Sequence, residues 1–240
     1  MDMIVNMNII CKNFWKKFYN KFVDQLIFGG NKIIAVDQNG KEKRIFFVRG
    51  LFIRFKGKNS TIILHKPFPK FICSRISLGD NSKVIFKESE DRVKKFIIRG
   101  KPNGVFVTVG KNFSVMNGCR IIFGKLPGMK VNIGDDCMFA TNITLRTSDG
   151  HIVRNKDNNK ILNYDKGIEI GNHCWVVNNS QIFKGVKIAD NCVIGSNSLV
   201  LKNCDEPNCI YAGMPARKVK ENITWERRGI EVSDLETLSD

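Results

Sequence analysis

The sequence predicts an all-β solenoid, and three observations on the chain support that prediction. One aliphatic side chain recurs at every sixth position near the C-terminus: Ile170, Val176, Ile182, Ile188, Ile194 and Val200. A small or slim side chain follows each of the first five, four positions later: Cys174, Ser180, Val186, Cys192 and Ser198. A period of six fits neither a helix, at about 3.6, nor a strand, at about 2. It is typical of coils with flat faces, where one aliphatic residue per face points inward and a small residue occupies the corner.

The same repeat continues upstream in a looser form. The spacing of six runs through Val109, Val115, Ile121, Pro127, Ile133, Phe139 and Leu145. Farther upstream, Asn59, Asn81 and Asn103 follow one another at 22 positions, which predicts irregular coils with Gly and Asn at their corners. We therefore expect a solenoid over 50–203, an N-terminal cap segment over 1–49, and a C-terminal cap and tail over 204–240.

The cysteines fall in the repeat rather than in a metal-binding pattern. Four of the eight occupy small-residue positions: Cys119, Cys137, Cys174 and Cys192. This predicts compact core side chains. Cys204 and Cys209 form a close pair that no second pair completes, so no metal is expected. A reducing cytoplasm is the simplest compartment, and no run approaches the roughly 18 apolar residues of a membrane span.

The N-terminal segment has a different character. Aromatic and aliphatic residues lie at helical spacing among lysines: Phe14, Trp15, Phe18, Tyr19, Phe22 and Leu26. A basic amphipathic helix of this kind can lie on an anionic surface, which would give a peripheral contact with the inner membrane. It can also cap the open end of the solenoid, and the sequence favours this second interpretation.

A polar excursion over 146–167 interrupts the ladder. Leu145 and Ile170 are 25 positions apart, so the register slips by one. Long loops in compact folds are usually functional or disordered. His151 lies at the root of the excursion, and an imidazole can accept a proton from an alcohol that attacks a carbonyl. His151 is therefore a candidate general base, with an ordinary surface histidine as the alternative.

Three segments resemble the hexapeptide-repeat acyltransferases, namely 137–151, 171–175 and 206–222. Proteins of that family fold as left-handed parallel β-helices, assemble as homotrimers and transfer an acetyl group from acetyl-CoA to a hydroxyl or amine. The chain is most similar to bacterial O-acetyltransferases of sialic acid or polysialic acid capsules, through 206–209, 219–225 and the 24-residue step from His151 to Trp175. The resemblance is specific over 131–228 and architectural over 50–130.

The resemblance implies roles for several residues. His151 would take the proton of a sugar hydroxyl, a contribution of about 10²- to 10⁴-fold in rate. Trp175 would shape the acetyl site, with a nearby main-chain or indole N–H stabilising the oxyanion, unless it only packs beside the wall. Asp149 would either orient the imidazole or shape the turn, and Asn142 would lie near the acceptor.

The resemblance also implies a donor site. Related enzymes lay acetyl-CoA along the corners of the C-terminal coils, between two subunits. The corresponding residues would hold its pantetheine arm and then its phosphates: Asn178, Ser196 and Lys202, then Arg217 and Lys220. Val177 stands where the family commonly has glycine, and its side chain could narrow the groove.

The formal net charge of +16 favours an anionic partner, unless it only reflects a lysine-rich composition. No nucleic-acid-binding motif accompanies it, so an anionic glycan is the expected partner rather than nucleic acid. The predicted function is an acetyl-CoA-dependent O-acetyltransferase of a bacterial surface glycan, sialic acid or polysialic acid. The alternatives are a neutral or amino sugar acceptor in capsule or lipopolysaccharide, and a non-catalytic β-helix scaffold.

Overall fold

The computed structural model describes residues 29–100, 103–231 and 234. The helix expected around Phe14 to Leu26 lies outside these residues. In chain order, the strands are β1 (Lys32–Val36), β2 (Glu42–Arg44), β3 (Leu51–Phe55), β4 (Thr61–His65), β5 (Lys70–Ile72), β6 (Ser74–Leu78), β7 (Lys83–Phe86), β8 (Arg92–Lys94), β9 (Phe96–Arg99), β10 (Phe106–Val109), β11 (Ser114–Ile122), β12 (Lys130–Ile133), β13 (Met138–Arg146), β14 (Ile168–Ile170), β15 (Trp175–Val176), β16 (Gln181–Phe183), β17 (Lys187–Ile188), β18 (Val193–Ile194), β19 (Leu199–Val200), β20 (Ile210–Gly213) and β21 (Ala216–Lys220).

The strands stack into three parallel faces, because each coil contributes one short strand to each face. Face A contains β1, β4, β7, β10, β12, β14 and β17. Face B contains β5, β8, the first residues of β11 and β13, then β15, β18 and β20. Face C contains β3, β6, β9, the last residues of β11 and β13, then β16 and β19. Two strands pair antiparallel at the ends, β2 with β1 and β21 with β20.

The predicted inward positions form one buried column on each face. On face A the column is Leu64, Phe86, Val109, Ile133, Ile170 and Ile188. On face B it is Phe71, Val93, Val115, Phe139, Val176 and Ile194. On face C it is Ile53, Ile76, Ile98, Ile121, Leu145, Ile182 and Val200. The inward direction expected for the aliphatic ladder is confirmed.

Coil length varies along the molecule, and the regular 18-residue coils come after the excursion. Leu64 pairs with Phe86, 22 positions on, and Val109 with Ile133, 24 positions on. Ile170 pairs with Ile188 after only 18 positions, which gives each face six residues. Pro127 lies in the loop between β11 and β12, and the spacing of six passes through it because that loop lengthens an 18-residue coil by six.

The small positions at the corners are buried, as predicted. Cys119, Cys137, Cys174 and Cys192 are fully buried free thiols. The Cys174 Sγ lies 3.2 Å from the carbonyl of Ala189 on the next coil, and the Ser180 hydroxyl donates to Gly195 O at 2.8 Å. A small polarisable or hydroxyl side chain at this position therefore links one coil to the next.

The ends of the solenoid differ from the predicted boundaries. β1 already pairs in parallel with β4, so the boundary expected at residue 50 falls inside the stack. At the other end β20 pairs in parallel with β18, so stacking continues beyond residue 203. The spacing of six is absent at both ends. The β-branched and other apolar residues of β1 and β20 nevertheless extend the buried columns of faces A and B.

Candidate functional site

His151 lies on the excursion that follows β13, at the corner between faces C and A. Its side chain is exposed, and its backbone carbonyl accepts a hydrogen bond from Asn163 Nδ2 at 2.7 Å. None of the described residues hydrogen-bonds its imidazole. The ring is thus free to meet a molecule that approaches this corner.

Asn163 holds the root of the excursion together. Its amide nitrogen also donates to Asp149 Oδ2 at 3.0 Å, and its amide oxygen accepts from the Val153 N–H at 2.7 Å. The two limbs of the excursion are therefore tied beside His151. Sequence reasoning missed Asn163, because nothing in the sequence separates it from the other asparagines of this stretch.

Asp149 is bound to the coil below the excursion. Its carboxylate accepts hydrogen bonds from Lys184, whose side chain is 17% exposed, and from Asn163. The bond from Lys184 is the main cause that lowers the pKa of Asp149; burial opposes it, and Asn163 adds to it. In this structure Asp149 anchors the excursion, and an orienting role toward the imidazole stays a prediction.

Trp175 begins β15 on face B, between Met138 and Val193 of the neighbouring coils. Its indole Nε1 is buried and has no hydrogen-bond partner among the residues that the structure describes. A buried donor without an acceptor costs about 1–3 kcal/mol, so an acceptor oxygen that reached this N–H would relieve the cost. The Trp175 ring lies 5.9 Å from the ring of Trp225, at an angle of 38°.

One chain does not bring His151 and Trp175 into a single cleft. His151 follows the face C end of β13, whereas Trp175 pairs with the face B start of the same strand. The corner between faces B and C, which contains Thr141 and Asn142, separates the two.

Three candidates, Asn142, Asn178 and Ser196, lie together at the corner between faces B and C. Asn142 adopts a left-handed backbone, accepts from Arg120 Nη2 at 2.9 Å and donates to Asn179 Oδ1 at 3.0 Å. The Asn178 amide oxygen accepts from the Thr141 N–H at 3.0 Å. Ser196 is exposed one coil further on, at the position that corresponds to Asn178.

The remaining donor candidates are more scattered. Arg217 and Lys220 are exposed on β21, opposite Ala212 and Ile210 of β20. Lys202 is exposed beyond face C, at the corner toward face A. Val177 points outward on face B, half-buried beside the indole position. The structure thus groups Asn178 and Ser196, leaves Lys202 at another corner, and places a valine on the outer surface between Trp175 and that group.

Other surfaces hold none of these residues. A groove of about 590 Å³ on face A is lined by Asn132, Glu169 and Lys187, among others. Within the described ranges, no cluster of three or more His, Cys, Asp or Glu is arranged to hold a metal. The same ranges contain no helix with the length and apolar character needed to cross a membrane.

The sequence is similar to two curated proteins. It is 42% identical over 137 residues to a polysialic acid O-acetyltransferase of Escherichia coli O1:K1 / APEC, and 44% identical over 99 residues to one of Neisseria meningitidis. These matches cover 57% and 41% of this chain but only 42% and 46% of the relatives, less than half of their length. No protein-family model matches the chain.

Two solved structures are similar over most of the fold. The polysialic-acid-specific acetyltransferase NeuO matches with a TM-score of 0.58 at 27% identity, over 85% of this chain and 89% of its own. The polysialic acid O-acetyltransferase OatWY matches with a TM-score of 0.61 at 28% identity, over 87% and 94%. The predicted left-handed parallel β-helix is therefore confirmed. The resemblance to hexapeptide-repeat acyltransferases, and within them to polysialic acid O-acetyltransferases, is confirmed as well.

Proposed function

We propose that the chain is an O-acetyltransferase that moves an acetyl group from acetyl-CoA to a hydroxyl of sialic acid in a surface polysaccharide. The observation that carries the proposal is its 42% identity over 137 residues to a polysialic acid O-acetyltransferase. The structures of NeuO and OatWY support it, because they are similar along almost their whole length. The cytoplasm, where acetyl-CoA is available, is the proposed compartment.

The exposed imidazole of His151 supports a direct transfer. His151 takes the proton of the acceptor hydroxyl as its oxygen attacks the thioester carbonyl carbon. The unpaired Trp175 Nε1–H donates a hydrogen bond to the carbonyl oxygen and stabilises the negative charge that develops there. The C–S bond then breaks, and the imidazolium returns its proton to the sulfur of coenzyme A.

We place this reaction between the subunits of a homotrimer. His151 and Trp175 lie on different sides of one prism, so each subunit would supply one of the two. Face B carries apolar side chains that an adjoining chain would cover: Met116 is 65% exposed and Ile72 is 37% exposed. The groove for acetyl-CoA would then run along Asn178 and Ser196, with Arg217 and Lys220 toward its phosphates.

A track of arginines supports an anionic acceptor. Five successive coils each place one arginine on the outer surface of face C: Arg54, Arg75, Arg99, Arg120 and Arg146. Neighbouring coils are about 4.8 Å apart, so the track is continuous at the scale of a sugar chain. It ends at Arg146, five positions before His151. Guanidinium groups bind carboxylates through paired hydrogen bonds, which suits a polymer with one carboxylate per sugar.

The N-terminal end of the arginine track contains a groove whose lining suits a carboxylated sugar. Arg54, Arg75 and Arg99 surround a groove of about 280 Å³. Ser77 on its floor is 7% exposed, and its hydroxyl has no hydrogen-bond partner in the described part of the chain. Arg75 lies over the Phe52 ring at 5.3 Å, which holds its side chain against the surface.

Thiol release from acetyl-CoA, followed with polysialic acid as acceptor, tests the function. We expect release together with a mass gain of one acetyl per modified sialic acid. His151→Ala should lower the rate by about 10²- to 10⁴-fold. His65→Ala on face A is the matched control and should retain the rate, with the mass of the assembly checked by light scattering.

Three results would contradict the proposal. Acetylation of neutral or amino sugars in place of sialic acid would favour the alternative acceptor. An unchanged rate for His151→Ala would remove this residue from the mechanism. Absence of transfer to every acceptor by the correctly assembled protein would favour a non-catalytic scaffold.

A further inference from the structure

Residues 222–228 form a strap, here called the C-terminal strap, that runs back along the corner between faces A and B. The Ile223 N–H donates to the Asn208 carbonyl at 3.0 Å, and Asn191 Nδ2 donates to the Ile223 carbonyl at 3.0 Å. Thr224 Oγ1 donates to Asn191 Oδ1 at 3.4 Å. The strap is thus fixed to two successive coils before it reaches Trp225.

Trp225 stacks on His173, which occupies a left-handed corner position. Their ring centroids are 4.4 Å apart and their planes differ by 13°. The indole Nε1 of Trp225 donates to the His173 carbonyl at 2.7 Å, and His173 Nε2 lies 3.0 Å from the Trp225 carbonyl. Trp225 is only 7% exposed, so strap and corner form one packed unit.

Arg227 fastens the strap two residues later. Its Nε donates to Asp136 Oδ1 at 2.8 Å, and its Nη1 donates to Ser114 Oγ at 2.8 Å. Its Nη2 donates to the carbonyls of Asn112 and Cys137. Asp91 Oδ2 also lies 3.5 Å from Nη1, so each nitrogen of the guanidinium faces at least one protein acceptor.

Asp136 joins Arg227 to His173. Its other carboxylate oxygen lies 2.6 Å from His173 Nδ1. Burial works to raise the pKa of Asp136, but the hydrogen bonds of His173 and Arg227 outweigh it and lower the pKa. The Asp136 carboxylate thus bridges Arg227 of the strap and the His173 ring, on which Trp225 stacks.

We propose that Trp225 is a positioning residue that sets the plane of the Trp175 indole. His173, Asp136 and Arg227 hold Trp225 in place. The Trp225 ring is close to the rings of both His173 and Trp175, at centroid distances of 4.4 and 5.9 Å. The Trp175 Nε1–H is buried and unpaired, so its direction depends on how the ring is packed. The catalytic part of this inference rests on the proposed function, in which that N–H donates a hydrogen bond to the thioester carbonyl oxygen.

Paired variants separate positioning from a purely structural role. Trp225→Ala should lower kcat about ten- to a hundred-fold, the loss expected from displacement of a catalytic group by about 1 Å, with KM for the glycan within about twofold. Trp225→Phe keeps an aromatic face and should recover part of kcat. Arg227→Ala should lower kcat in the same direction.

Arg228→Ala is the matched control for the strap. Arg228 is adjacent to Arg227, but its ion pairs with described residues are to Glu226 and Asp234 and do not reach the coils. It should retain the kcat of the wild type. Equal kcat for Trp225→Ala and the wild type, or equal losses for Arg227→Ala and Arg228→Ala, would overturn the catalytic part.

Fluorescence tests the packing without activity. In a Trp15→Phe background the remaining indoles are Trp175 and Trp225. Adding Trp225→Ala or Trp225→Phe leaves Trp175 as the single indole, so the two variants can be compared directly. The alanine variant should show the redder emission and the stronger quenching by acrylamide. Equal quenching in the two variants would overturn the inference. Protected emission with no acetyl transfer by the wild type would refute the proposed function and leave the packing of Trp175 by Trp225 standing.

Discussion

The N-terminal and C-terminal coils solve the same packing problem with different side chains. The N-terminal coils, of 22 to 24 residues, are filled by a chain of edge-to-face aromatic contacts: Phe71, Phe86, Phe96, Phe113 and Phe139. The 18-residue coils use Cys and Ser at the corners and Ile and Val on the faces. Longer coils have residues to spare for wide corners, so Phe113 fits at a corner where the short coils have Cys174 and Cys192.

The difference also divides the proposed work of the molecule. Four of the five arginines on face C, Arg54 to Arg120, belong to the longer coils or their border, and the fifth leads into the excursion. Trp175, Asn178 and Ser196 belong to the short coils, whereas the strap docks on both kinds of coil. A wide coil offers a broad outer surface for a polymer, whereas a short coil offers repeated corners at fixed height.

Substitution at equivalent corners tests this comparison with the largest expected effect. Phe113 and Cys192 both lie four positions after an inward residue of face A, and both are fully buried. Phe113→Ala should destabilise the fold by about 3–5 kcal/mol, because it removes a ring from the middle of the aromatic chain. The measurement is the urea unfolding midpoint at fixed protein concentration.

Cys192→Ala is the control in a short coil. It removes one sulfur, which lies 3.3 Å from the Glu206 carbonyl, and should cost about 1 kcal/mol. Equal losses for the two variants would show that the aromatic chain is not what stabilises the longer coils.

The sequence revealed the short coils better than the long ones for the same physical reason. In an 18-residue coil the six-residue spacing is preserved on every face, so Ile170 to Val200 could be read directly. In the longer coils the extra residues shift the register, and β1 before residue 50 left no periodic signal. Asn163 and Lys184 were not predictable, because their partners lie across a loop or on another coil.

The site was only partly predictable from the sequence. His151 was identified from its position at a break in the ladder, and Trp175 from a resemblance. His173 holds Trp225 in place through a contact between residues 52 positions apart, which no local pattern encodes. Distant contacts through the tail become visible only when the coils are stacked.

Removal of an arginine from the face C track should have the next largest effect. Arg99→Ala should weaken binding of polysialic acid about tenfold, in line with the loss of a charge-assisted hydrogen bond of about 1.5 kcal/mol or more. The loss should shrink as salt rises. Binding is measured by calorimetry without acetyl-CoA, so that it does not depend on turnover.

Lys83→Ala is the control for that experiment, since Lys83 points outward from face A in the same part of the molecule. It lowers the net charge by the same amount. Equal weakening by the two variants would mean that only total charge matters, and the track on face C would lose its special role.

The smallest expected effect concerns how a short coil holds the excursion. Lys184, which follows β16, is paired with Asp149 at the excursion's root. This bond is the main cause of the lowered pKa of Asp149. The pair therefore stabilises the root of the excursion fully at pH values above 3.8, the ordinary pKa of an aspartate. The stabilisation is lost as pH falls through the lowered pKa. The Asp149 side chain is 35% exposed, so solvent limits the contribution to about 1 kcal/mol or less.

Asp149→Asn should therefore increase hydrogen exchange of the excursion amides near neutral pH and should remove the increase that the wild type shows in acid. Asp157→Asn changes an exposed carboxylate elsewhere on the same excursion, which has no ion pair or hydrogen bond with a described residue, and should leave exchange at the root unchanged. If both variants behaved alike, the rigid coil would not be what holds His151 in place. The contrast between wide and narrow coils would then concern packing alone, and the position of the imidazole would depend on Asn163 and the excursion itself.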